Sequence, residues 1–210
     1  KIRTTNSKVV VGVGDAKALE QMAGQIRQML EETPEFKGLQ KQIEIQMTSD
    51  GLRIELLEGD EGTFFDSGSS HVRDSTERLL TAIAKELGAL QNPIILEGHT
   101  DAQPFSRSGF YTNWELSADR ANSARRIMEA GGLHGHQVVG VRGFADTHLR
   151  VADKPFDSRN RRVSIIVMSY DPRTMEEPTV PEAAPASRGA DPAAPKATPD
   201  KLKASTKPAP

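Results

Sequence analysis

Two short segments of the chain hold residue types that can grip a small zwitterion. Gly98-His99-Thr100-Asp101 closes an apolar run, Pro93 to Glu97. Asn113 to Ala121 (NWELSADRA) then opens a helical pattern. Asp101 therefore lies on a loop leaving a strand, and Arg120 lies within the first turns of the following helix. A carboxylate so placed accepts hydrogen bonds from an ammonium, and a guanidinium donates two parallel hydrogen bonds to a carboxylate. Each charged hydrogen bond of this kind contributes about 1.5–3 kcal/mol. Every residue here also has a plainer reading. Asp101 could be a turn residue bonding its own backbone. Arg120 could be a solvated helix residue paired with Asp119 or Glu115, and Asn113 a simple cap. Trp114 reads as a packing anchor. Arg161 and Arg162, at the start of the last strand, could line the same site or form a solvated edge.

The elements that must position these residues follow from periodicity. Asp15 can cap a helix that runs to Thr33 and stops at Pro34, with Leu19, Met22, Ile26, Met29 and Leu30 on one stripe. Ile43, Ile45 and Met47 alternate, Thr48 to Gly51 turns the chain, and Leu52, Ile54 and Leu56 alternate in reply, which predicts a hairpin. Glu58 to Ser70 reads as a loop. A second helix is expected over 74–90, with Leu79, Leu80, Ile83 and Leu87 on its apolar face, and a strand over 94–97. The third helix, 113–130, opens with a capping box between Thr112 and Glu115 and closes at Gly131-Gly132. Strands over 138–144 and 163–170 complete the order. This alternation implies an α+β fold, a sandwich in which helices cover one face of a mixed β-sheet.

Composition narrows the functional classes. The 210 residues carry a net charge of -2, which argues against a nucleic-acid partner needing a basic face. There is no cysteine, so disulfides and thiolate metal sites are excluded. No apolar run reaches the length that spans a bilayer. The five histidines lack the helical pair of a zinc protease, and His134-Gly-His136 is a poor metal set. His99 beside Asp101 could suggest a hydrolase, but no activated serine, catalytic carboxylate pair or metal set accompanies it. Gly12 to Lys17 is an incomplete echo of a phosphate loop. No catalytic residue, metal site or cofactor is expected.

The order TD, N, LS, RA resembles the hallmark of the OmpA-like peptidoglycan-binding domain. In that family the Asp and Arg hold the free amino-acid end of diaminopimelate in the wall peptide. By position the resemblance carries ligand binding onto Thr100, Asp101, Asn113, Leu116, Ser117 and Arg120, and the Asn160-Arg161-Arg162 run adds Arg161. The stretch Asp101 to Phe105, an enlarged loop, then Tyr111 to Asn122 is similar to the MotB-type flagellar stator branch. So are Gly131-Gly132, Gly143 to Asp146 and Asn160 to Val163. The resemblance implies a non-catalytic anchor in the periplasm, tethered to the inner membrane by a segment upstream of Lys1. It implies peptidoglycan, a second copy in a homodimer, the channel subunit MotA (through that membrane segment) and the flagellar P-ring as partners. A general OmpA- or Pal-like envelope tether and a wall hydrolase are the alternatives. It also raises the reading that the first helix undocks on activation; a permanent core helix is the other.

Three segments result: a linker with the first helix over 1–40, the domain over 41–171, and a tail over 172–210. Nine of the 13 prolines fall in that tail, among Ala, Ser and Lys and without an aromatic residue. Such a composition buries too little surface to offset its ordering entropy, so the tail is expected to be disordered. Deleting residues 173–210 should leave the melting temperature and wall binding unchanged. Calorimetry showing a fall of several degrees would mean that the tail packs on the domain.

Overall fold

The computed structural model describes residues 13–60, 62–105 and 110–169. The expected linker before residue 13 and the expected tail lie outside them. Three helices, α1 (Val13–Glu32), α2 (Asp74–Leu87) and α3 (Asn113–Gly131), accompany five strands. These are β1 (Ile43–Thr48), β2 (Gly51–Leu57), β3 (Ile94–His99), β4 (Val138–Gly143) and β5 (Arg162–Met168). The sheet order is β1-β2-β5-β3-β4. All pairs are antiparallel except β3 with β4, which α3 connects. The fold is the mixed α+β arrangement that the pattern implies.

Alternation sorts the sheet into two faces. Leu52, Ile54 and Leu56 of β2, Leu96 of β3 and Val163, Ile165 and Val167 of β5 point to one side. They share a core with Leu19, Met22, Ile26 and Leu30 of α1, the apolar stripe of α2, and Ala121, Ala124 and Met128 of α3. The opposite face is ionic. Glu55 accepts hydrogen bonds from Arg162 (3.2 Å) and Ser164 (3.1 Å), and Glu97 accepts from Arg53 (3.3 Å) and Arg142 (3.2 Å).

Two glycines fix where α3 sits. Gly98 and Gly143 are paired neighbours in β3 and β4. A Cβ on Gly98 would stand 1.9 Å from the Ser117 carbonyl oxygen, and one on Gly143 would stand 2.8 Å from the Ala118 nitrogen. The helix backbone therefore rests directly on the sheet at this point. The capping box forms as expected, with the Thr112 side chain accepting from Trp114 N and Glu115 bonding back to Thr112. At the other end Gly132 takes φ +132°, a conformation that side chains oppose. The expected boundaries shift in several places: α1 begins at Val13, so Asp15 lies inside the helix and is not its cap; β3 runs on to His99; β5 ends at Met168; and α2 stops at Leu87, not near 90. A Cβ on Gly88 would sit 2.3 Å from the Gly132 carbonyl, so the two helix ends meet there.

α1 is docked as part of this core. Asp15 accepts from Asn92 Nδ2 at 2.8 Å, and Arg27 donates to the Ile45 carbonyl at 2.8 Å. Ile26 is fully buried. Ile26→Ala should destabilise the folded domain by about 2–5 kcal/mol, read as a lower urea midpoint. A change below about 0.5 kcal/mol would mean that α1 is not part of the cooperative unit.

Candidate functional site

The carboxyl end of β3, the amino end of α3 and the loops after β2 and before β5 enclose a cavity of about 510 Å³. Glu58, Phe65, Thr100, Asp101, Arg120 and Arg161 line it, with Asn113 and Leu116 at its helix side. Six of the seven residues expected to bind ligand thus meet around one space.

Asp101 is buried and both of its oxygens are engaged. Oδ1 accepts from Gln103 N at 3.2 Å, and Oδ2 accepts from Arg161 Nη1 at 2.7 Å. The turn role is therefore present, and the second oxygen is held in an ion pair with Arg161 at the cavity wall. Arg161 is held in addition by the Gly59 carbonyl, 3.0 Å from its Nη2. Its neighbour Arg162 turns to the ionic face and bonds Glu55.

Arg120 is only 5% exposed. Its Nε donates to the Ser69 carbonyl at 2.9 Å, and its guanidinium carbon lies 5.0 Å from the centre of the Phe65 ring. It forms no ion pair among the described residues. Both acids that could have paired with it along the helix are occupied elsewhere. Glu115 caps Thr112, and Asp119 accepts from Tyr111 Oη at 2.7 Å. Burial pushes the Arg120 guanidinium below its ordinary range, Glu58 and Asp101 raise it, and Arg161 lowers it. An arginine stays charged under such shifts. A buried charge without a paired acid is costly, which makes Arg120 a candidate to receive an anion from the cavity that it lines.

Thr100 contributes a buried hydroxyl that has no hydrogen-bond partner among the described residues. Its backbone N–H donates to the Ala145 carbonyl at 2.8 Å, which fixes the loop. Asn113 donates to the Gln103 carbonyl (3.0 Å) and more weakly to the Asp101 carbonyl (3.5 Å), so it clamps the loop beside the ligand space. Two expectations are corrected. Ser117 does not line the cavity: its hydroxyl donates to the Trp114 carbonyl and accepts from Ala145 N, locked beneath the helix by the glycine contact. Trp114 is no packing anchor, because it is 53% exposed.

Glu58 was not legible as a site residue. It is buried, and its carboxylate accepts from the backbone N–H groups of Thr63, Phe64 and Phe65. It thereby shapes the loop that presents Phe65 to Arg120. A sequence signal exists: an acid ends the apolar run of β2, just before a glycine-rich loop. His99 lies behind the cavity, on the ionic face, stacked on Phe144 at 5.0 Å. Among the described residues no group of three or more His, Asp or Glu side chains stands together as a metal set.

Residues 64–162 match the model of the OmpA family. The chain carries an OmpA-like domain. It is 39% identical over 153 residues to Motility protein B of Escherichia coli K12, covering 72% of this chain and 49% of that protein. The chain thus spans about half the length of that relative. Among solved structures it resembles the periplasmic domain of Helicobacter pylori MotB (19% identity, TM-score 0.54, 62% of this chain and 90% of that one). It also resembles the cell wall anchor of the type VI secretion system from Pseudomonas aeruginosa (24% identity, TM-score 0.55, 72% and 97%). Both likenesses concern the OmpA-like fold.

His99 generates a pH dependence. Burial holds its pKa below the ordinary imidazole value; Glu97 and Glu55 oppose this and Arg162 reinforces it. The folded domain therefore favours neutral imidazole. Stability should fall as pH drops below about 6.5, where the unfolded chain takes up the proton first. In His99→Leu the slope of melting temperature against pH between 7 and 5 should flatten. An unchanged slope would place the titration elsewhere.

Proposed function

We propose that this OmpA-like domain is a non-catalytic anchor that holds peptidoglycan by the free zwitterionic end of diaminopimelate. Asp101 receives the ammonium and Arg120 the carboxylate. The Thr100 hydroxyl supplies a further hydrogen bond, and Leu116 and the Phe65 ring close the apolar sides. Arg120 carries this reading: a guanidinium so buried, without an acid of its own, needs an anion from outside. Identity to Motility protein B supports placing the domain in a flagellar stator, where it links an ion-driven motor to the wall. On this reading the chain works in the periplasm, tethered to the inner membrane by an upstream segment. It pairs as a homodimer, with MotA as the channel partner and the P-ring as a further contact.

Sedimentation with purified sacculi tests the proposal. Wild-type protein should pellet with sacculi and release no soluble fragments; released fragments would make it a hydrolase. Asp101→Ala should weaken binding by about 2–5 kcal/mol, on the order of 30-fold to several thousand-fold, while circular dichroism stays native. Arg120→Lys should also fail, since a point charge cannot replace a two-pronged donor. Wild-type affinity in either folded variant would overturn the assignment.

A further inference from the structure

Six charged side chains line the cavity, and they are not equivalent. Asp60 and Asp66 belong to the loop after β2, and Asp66 is paired with His71 and Arg73. Glu58 is satisfied by backbone N–H groups, and Arg120 has no ion-pair partner among the described residues. Asp101 and Arg161 are joined to each other at 2.7 Å. A ligand ammonium approaching Asp101 therefore meets a neutralised pair, not a bare carboxylate. Its Oδ1 is also engaged, by Gln103 N.

We propose that Arg161 is a displaceable counter-ion of Asp101, and that this exchange makes the site select zwitterions over simple amines. The inference rests on the reading above and deepens it. When an ammonium takes the Asp101 carboxylate, Arg161 is left as a half-buried cation without its acid. Stripping one partner from such a pair is strongly unfavourable. A ligand that brings its own carboxylate repairs the loss, because Arg161 and Arg120 line the same cavity and can share it. Charges then alternate from Asp101 to ammonium to carboxylate to the two guanidiniums. A ligand with an ammonium alone leaves Arg161 uncompensated. A ligand with a carboxylate alone reaches Arg120 but gains nothing from Asp101.

The backbone permits this exchange with a side-chain rotation alone. Arg161 N donates to the Ser158 carbonyl, and the Arg161 carbonyl accepts from Glu58 N, each at 2.9 Å. Asn160 pins the preceding turn through Val151 N and the Lys154 carbonyl. The Arg161 Cα is fixed while its guanidinium, 24% exposed as a side chain, lies at the cavity wall.

Titration calorimetry with three stem tripeptides tests the exchange. Their third residue is meso-diaminopimelate (ammonium and carboxylate), lysine (ammonium alone) or 2-aminopimelate (carboxylate alone). Wild-type protein should bind the first at least about 30-fold more tightly than the second. Arg161→Gln should bind the diaminopimelate peptide about tenfold more weakly and the lysine peptide at least about threefold more tightly than wild type. Opposite shifts of this kind do not arise from general damage to the site. Arg161→Lys keeps a counter-ion and should leave the lysine peptide weak. Should Arg161→Gln weaken both peptides in proportion, or leave the lysine peptide no tighter, the exchange is overturned and wall binding stands. Wild-type protein that binds neither the diaminopimelate peptide nor sacculi would overturn both readings.

Discussion

The seating of the α3 backbone on two glycines decides everything at the site. With Gly98 and Gly143 side by side, the peptide units at Ser117 and Ala118 come into direct contact with β3 and β4. That contact sets the height of α3 over the sheet and the distance from Asp101, just past β3, to Arg120, one turn beyond Ser117. Ser117 then ties the helix to the loop after β4 through Ala145 N. Any side chain at either glycine would lift the helix and move the two charges apart. The binding geometry is thus set by backbone against backbone, the least compressible contact that a protein core offers.

The two faces of the sheet show contrasting treatments of charge. On the ionic face each buried glutamate has at least two donors, and Arg53, Arg142, Arg150 and Arg162 interleave with Glu44, Glu55 and Glu97. That lattice is closed on itself. At the cavity the account is left open: one guanidinium sits over a phenyl ring with a single carbonyl for company. Since buried polar groups are normally satisfied, a buried cation with no ion pair among the described residues singles out this cavity as the candidate ligand site.

Local features of the molecule were legible in the sequence, and distant pairings were not. The hairpin could be read from alternation around Gly51, and the capping box from the spacing of Thr112 and Glu115. Asp101 and Arg120 could be matched because they occupy the two ends of one strand-loop-helix unit. The Asp101–Arg161 pair joins that unit to the last strand, which no local pattern links to it. Glu58 was hidden for a different reason: its bonds are local, but they go to the backbone of a loop that looks irregular in sequence. Ser117 misled because a small hydroxyl in a binding motif reads as a ligand contact. Its burial follows from glycines on two other strands. Trp114 misled in the opposite sense, since an aromatic on a helix usually faces a core, but this ring is largely open to solvent.

The position of β3 has a mechanical consequence. A pull on anything held by Asp101 enters the fold at the end of a strand bonded on both sides, to β5 and to β4. If the pull runs along the strand axis, the hydrogen bonds of both ladders are loaded together in shear. They do not open one after another, as they would if an edge strand were peeled away. Traction at this end of β3 is spread at once over the middle of the sheet, so the grip should give way before the strand does.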